Sequence, residues 1–261
     1  MDLPPPRRPD REGLEAGLAY ALWLPEGSLA KPPEPDPDAR PVPPPPWPGV
    51  VILHGAGSQK ENHADFARLA AAAGWAALAF DARGHGASEG EMSPGAIDDV
   101  VHMARYLAAS TGIDEERVAV RGSSMGGFLA IHAAAAAPEI AGVIAICPAG
   151  EEHLARGLRR GELEMRVADE TAMEAWLLEH DLRESVERIG SRPTILLHAE
   201  GDEQIPSEWS AELHAHASEP RKLVLVPGGD HRSVQHDAEL QGVALRWLDR
   251  ELGGASPARP R

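Results

Sequence analysis

The chain has 261 residues, 43% of them hydrophobic, and a formal net charge of −16. That length allows a substantial core in one large α/β domain or two small ones, and the acidity excludes nucleic acid and anionic membrane surfaces as natural partners. The single cysteine, Cys147, cannot form an internal disulfide, so nothing demands an oxidising compartment.

Residues 1–11 are rich in proline and arginine with no apolar run behind them, which predicts a disordered tail, no secretory signal and a cytoplasmic protein. Leu18–Leu24 reads as an early strand. The segment Lys31–Pro48 holds ten prolines in eighteen residues and predicts a stiff, extended surface loop. Gly49–Leu53 is a buried strand, Ala64–Ala73 a helix, Ala76–Phe80 a strand and Pro94–Ala109 a helix. The strand Val118–Val120 precedes an Ala-rich helix over Gly127–Ala137, and Gly142–Ile146 is the next strand. Phe128–Ala137, the longest apolar run, is too short to span a bilayer.

Pro148–Arg192 interrupts this alternation. Thr171-x-x-Glu174 and Asp181-x-x-Glu184 resemble capping boxes, so residues 148–192 should form a small helical cap. Thr194–His198 and Lys222–Val226 are the last strands, Ser207–Ala217 and Asp237–Leu252 the late helices, and 253–261 a second disordered tail. Strands alternating with helices predict an α/β fold with a mostly parallel sheet covered on both faces. Val50-Val-Ile-Leu53 and Gly142-Val-Ile-Ala-Ile146 have the continuous apolar character such strands need.

Gly122-Ser-Ser-Met-Gly126 lies between a strand and a helix, the setting of a nucleophile elbow with Ser124 on a tight turn. A serine hydroxyl needs a base to take its proton and an acid to orient that base. Asp202 follows the strand Thr194–His198, and His231 follows Leu223–Val226, in the order nucleophile, acid, base. Glu200, Glu203, Glu151, Glu152 and His236 are the substitutes, while Asp230 reads as a loop residue. The amide of Met125 is one donor for a tetrahedral oxyanion. The loop His54-Gly55-Ala56-Gly57-Ser58 supplies the other, with Ala56 preferred over Gly57. Cys147 reads as a small core residue. His214 and His216 fall on different sides of a helix, and no metal site or cofactor is expected.

These pieces, together with Asp81-Ala-Arg-Gly-His-Gly-Ala-Ser88, resemble the α/β-hydrolase superfamily over roughly residues 14–252. The likeness is to its small serine hydrolases, the dienelactone-hydrolase-like and serine-aminopeptidase-like esterases. The resemblance implies that Arg83, His85 and Ser88 are architectural and that His54 braces the oxyanion loop. A serine at the elbow disfavours dienelactone hydrolysis proper, which uses cysteine. The expected activity is hydrolysis of a small acyl substrate, foremost a carboxylic ester, through an acyl-enzyme. Thioester or amide hydrolysis on the same triad is the alternative, and a non-catalytic interaction protein the remote one.

Overall fold

In a computed structural model, residues 6–25 and 45–253 are described. They form one eight-stranded sheet in the order β1-β2-β4-β3-β5-β6-β7-β8. The strands are β1 (Arg11–Glu15), β2 (Leu18–Trp23), β3 (Trp47–Leu53), β4 (Ala76–Phe80), β5 (Ile113–Ser123), β6 (Val143–Ile146), β7 (Thr194–Ala199) and β8 (Arg221–Val226). β1 and β2 pair antiparallel, β2 joins β4 antiparallel, and every pairing from β4 to β8 is parallel.

Successive side chains of a strand point to opposite faces, and the two cores follow that period. Val51 and Leu53 enter one core and Val50 and Ile52 the other; Leu78 and Phe80 alternate likewise with Ala77 and Ala79. The first core is covered by α2 (Ala96–Ala108), α3 (Met125–Ala136), α6 (Leu182–Ile189) and α7 (Ser207–His216). The second is covered by α1 (Ala64–Ala72), the short α8 (Ser233–His236) and α9 (Ala238–Glu251). Helix α3 carries no polar stripe because it is buried nearly all round, between the sheet and α6.

The N-terminus departs from expectation. Residues 6–11 are tied to the sheet: Asp10 N–H donates to Leu22 O at 2.8 Å, the Asp10 carboxylate pairs with Arg7 at 2.6 Å, and Arg11 opens β1. The charged sequence Arg11–Glu15 hides this strand because it is an exposed edge, held by backbone pairing with β2 and by a contact of Glu15 Oε1 with His102 Nε2 at 2.9 Å. Residues 31–44 of the expected proline loop lie outside the described residues, and Trp47 and Pro48 belong to β3.

Residues 148–192 hold three helices, α4 (Glu151–Arg159), α5 (Glu170–Glu179) and α6. Asp181 caps α6 as its spacing predicts, accepting from Arg183 and Glu184 N–H at 2.7 and 3.2 Å. The cap of α5 is Asp169 rather than Thr171: its carboxylate accepts from Ala172 N–H at 3.0 Å. Aspartate is a better N-cap than threonine, so the earlier Asp169 starts the helix two residues sooner. Among the described residues no helix is long and apolar enough to cross a membrane.

Candidate active site

The sheet order reverses at β3, with β4 on one side and β5 on the other. Groups at the carboxyl ends of the strands meet in the crevice this reversal opens. The loop after β3, the turn after β5 and the loops after β7 and β8 all end there.

Ser124 sits between β5 and α3 with φ 53° and ψ −120°, a conformation that costs a non-glycine residue about 1–3 kcal/mol. Its surroundings enforce it. Ser124 N–H donates to Ile146 O at 2.9 Å, and its carbonyl accepts from Gly127, Phe128 and Ala149 N–H at 2.9, 3.1 and 3.1 Å. A Cβ on Gly122 would lie 2.0 Å from Gly126 O, and one on Gly126 would lie 2.6 Å from His54 O. The turn therefore closes only with glycine at both places.

His231 and Asp202 meet directly, with His231 Nδ1 2.7 Å from Asp202 Oδ2. The other carboxylate oxygen accepts Gln204 and Ile205 N–H, both at 2.9 Å. Burial raises the Asp202 carboxyl pKa, but hydrogen bonds from His198, His231 and Ile205 outweigh it and hold the group well below the ordinary carboxylate range. Ser124 and His231 line a single cavity of about 310 Å³ together with Gly55, Ala56, Leu163 and Gln204. No hydrogen bond joins Ser124 Oγ to His231 among the described residues, a common arrangement before substrate compresses a site.

Met125 opens α3, so its N–H is among the helix-start donors that have no intrahelical acceptor. The Ala56 N–H makes no hydrogen bond among the described residues, and Ala56 borders the cavity. His54 braces this loop: its Nδ1–H donates to Gly55 O at 2.7 Å, and its Nε2 accepts Ala82 N–H at 3.0 Å. Burial lowers its pKa to about 4, keeping the ring neutral.

Arg83, His85 and Ser88 lie beside the site in structural contacts. Arg83 is bidentate to Asp99 at 2.9 and 3.1 Å, and Ser88 Oγ donates to Asp81 O at 2.5 Å. The buried Asp81 carboxylate pairs with Lys60 Nζ at 2.9 Å and accepts Ala87 N–H at 2.9 Å.

The substitute acids and base lie elsewhere. Glu200 and Glu203 are exposed, Glu151 faces Arg183 at 3.4 Å, and His236 pairs with Asp65 at 3.0 Å. Asp230 accepts Arg232 and Ser233 N–H at 2.9 and 2.8 Å, forming its own loop.

Two buried polar neighbours of these residues belong to no sequence motif. His198, buried in β7, places Nε2 3.2 Å from Asp202 Oδ2 and 2.9 Å from Ile205 O, while Nδ1 meets Ser210 Oγ at 2.6 Å. Arg121, buried in β5, donates to Gln235 O at 3.0 Å behind the His231 loop and contacts His63 Nδ1 at 2.9 Å. Each follows an apolar run, Val118–Val120 before Arg121 and Ile195–Leu197 before His198, and a basic side chain so placed signals a buried partner. Cys147 Sγ lies with His198 and Asp202 ligand atoms within 4.8 Å of one another. That group does not suit a metal ion, because both His198 nitrogens are engaged and burial raises the thiol pKa to about 12.

Residues 44–188 match the family model described as serine aminopeptidase, S33. The chain belongs to this family. It is an α/β hydrolase. Among curated relatives, the uncharacterized protein Rv2307c of Mycobacterium tuberculosis is 28% identical over 197 residues, 72% of this chain and 64% of that protein. The uncharacterized protein YfhR of Escherichia coli K12 is 23% identical over 188 residues, 68% and 61% of the two chains. The matched region thus spans under two thirds of these relatives' length. Among solved structures, Est1E from Butyrivibrio proteoclasticus with bound ferulic acid superposes with a TM-score of 0.71 at 20% identity, covering 90% of this chain and 96% of that one. The 2,6-dihydroxy-pseudo-oxynicotine hydrolase gives 0.71 at 21% identity, covering 95% and 70%. At these identities the likeness establishes the fold.

Proposed function

We propose that the chain is a serine hydrolase that cleaves a carboxylic ester through an acyl-enzyme. The observation that carries this reading is the 2.7 Å contact of His231 with a buried Asp202, beside a strained Ser124 on the same cavity. Ser124 Oγ attacks the carbonyl carbon while His231 Nε2 takes its proton. Asp202 holds the Nδ1–H tautomer and stabilises the imidazolium. The oxyanion is held by the Ala56 and Met125 N–H groups. As the tetrahedral intermediate collapses, the bond to the leaving oxygen breaks and His231 returns the proton to it. Water, deprotonated by the same imidazole, then releases the acid and restores Ser124.

The family's description as serine aminopeptidases keeps amide cleavage as the second reading, and thioesters use the same chemistry. Stopped-flow kinetics with p-nitrophenyl acetate, its thioester counterpart and an amino-acid p-nitroanilide separate the readings. Ester hydrolysis predicts a stoichiometric burst of nitrophenol and a kcat/KM for the ester well above that for the anilide. Turnover of the anilide alone would move the assignment to a peptidase.

A further inference from the structure

Residues 160–169, between α4 and α5, form a strap with no helix or extended strand of its own. Its backbone is pinned at two places. Glu162 N–H donates to Gly157 O at 2.9 Å, Arg166 N–H donates to Gly84 O at 3.2 Å, and Arg166 O accepts Met92 N–H at 2.9 Å. Burial alternates along it as in an extended chain: Leu163, Met165 and Val167 are half-buried, while Glu162, Glu164 and Arg166 are exposed.

The inner side of the strap covers an apolar chamber beside the elbow helix. Leu163 and Met165 line it with Met92, Met125, Phe128 and Met173, and no charged or hydroxyl-bearing side chain does. Its free volume is about 10 Å³, room for no more than one water molecule. Four of the chain's six methionines meet here, unbranched side chains that can repack around a guest. Leu163 also lines the cavity that holds Ser124 and His231, so it is the wall between the two spaces. It is seated against α4 at Gly157, where an added Cβ would lie 2.9 Å from Leu163 Cδ2. A polar cavity of about 490 Å³, lined in part by Ser58, Gln59, Asn62 and Glu164, adjoins the Ser124 cavity through Gly57.

We infer that Leu163 is the specificity-determining stop for the acyl group, restricting the enzyme to esters of short, unbranched aliphatic acids. The inference rests on the Ser124 acyl-enzyme reading. The acyl chain points toward Leu163 and ends there, because the chamber beyond is filled. The adjoining polar cavity takes the leaving alcohol. Removing the Leu163 side chain joins the chamber to the Ser124 cavity and lets longer chains enter.

The test is kcat/KM for p-nitrophenyl acetate, butanoate and octanoate with wild type, Leu163→Ala, Leu163→Val and Met165→Ala. Active sites in each preparation are counted by fluorophosphonate labelling. Wild type should gain roughly fourfold per added methylene up to butanoate, the worth of one buried CH₂, and lose activity at octanoate. Leu163→Ala should raise the octanoate-to-butanoate ratio at least about tenfold, and Leu163→Val should shift it the same way by less. Met165→Ala keeps the wall in place and should leave the ratio within about threefold. A wild type that already favours octanoate overturns the inference. So does an unchanged ratio in both Leu163 variants with their active sites intact. If wild-type Ser124 does not label at all, the acyl-enzyme reading itself falls and the inference falls with it.

Discussion

His198 Nε2 and His231 Nδ1 converge on one oxygen, Oδ2 of Asp202, at 3.2 and 2.7 Å. Two rings thus share an acceptor whose partner oxygen is occupied by two backbone amides. The carboxylate has one orientation available to it, and that orientation fixes the His231 tautomer.

His231→Ala should abolish turnover, and Asp202→Asn should cut kcat by about 10⁴-fold by favouring the wrong tautomer. Steady-state kinetics on a fast ester check both. Near-normal rates in Asp202→Asn would take the orienting role away from Asp202.

On the proposed triad, His198 acts through Asp202 as a positioning residue. His198→Ala leaves Asp202 Oδ2 with one donor and should lower kcat roughly tenfold to a hundredfold with little change in KM. Loss of a hydrogen bond to the charged carboxylate should also raise the acidic limb of the pH–kcat profile. A merely structural His198 would lower thermal stability without moving that limb.

The elbow stores strain at Ser124 and has no space at Gly122. Ser124→Gly should be more stable than Ser124→Ala by about 1 kcal/mol, because glycine adopts positive φ freely. Gly122→Ala forces a Cβ to 2.0 Å from a backbone carbonyl oxygen and should cost about 3 kcal/mol or more. Urea denaturation of the three variants measures both. Equal stability of the two Ser124 variants would mean the turn is relaxed in solution.

Acid stability follows from buried neutral histidines. Burial lowers the pKa of His54 to about 4 and that of His132 to about 3, and lowers that of His63 well below its ordinary value. Each takes up a proton more readily when unfolded, near pH 6.5, than when folded. Their contribution is therefore full above about pH 6.5 and drains as pH falls toward the folded values, at about 1.4 kcal/mol per pH unit for each. Urea midpoints should hold from pH 8 to 7 and drop steeply from 6 to 4, with a shallower drop in His132→Asn. A flat profile down to pH 4 contradicts this.

Strands buried on both faces announce themselves, as Val50–Leu53 and Ala76–Phe80 do, because every position must be apolar. The edge strand Arg11–Glu15 does not, since most of its side chains meet water. The charged start of β5, Asp114–Arg117, is silent for a different reason: it bulges out of the ladder, whose pairing with β3 jumps from Ile113 to Val118, and none of its side chains is buried. Helix α4 begins at adjacent glutamates with no side-chain cap, so its start carries no local signal. The candidate triad residues are legible because each ends a strand in the expected order. What surrounds them is not: the pairing of His198 with Asp202, the reach of Arg121 to Gln235 O and the seat of Leu163 at Gly157 are tertiary facts. A lone polar residue in an apolar strand says only that a partner exists.

Covalent acylation of Ser124 is tested most directly by active-site labelling with a fluorophosphonate followed by peptide mass spectrometry. Wild type should carry a single phosphonylated residue, Ser124, with none in Ser124→Ala and labelling slowed by orders of magnitude in His231→Ala. A folded wild type that stays unlabelled, or a label that persists in Ser124→Ala, would contradict acylation at Ser124.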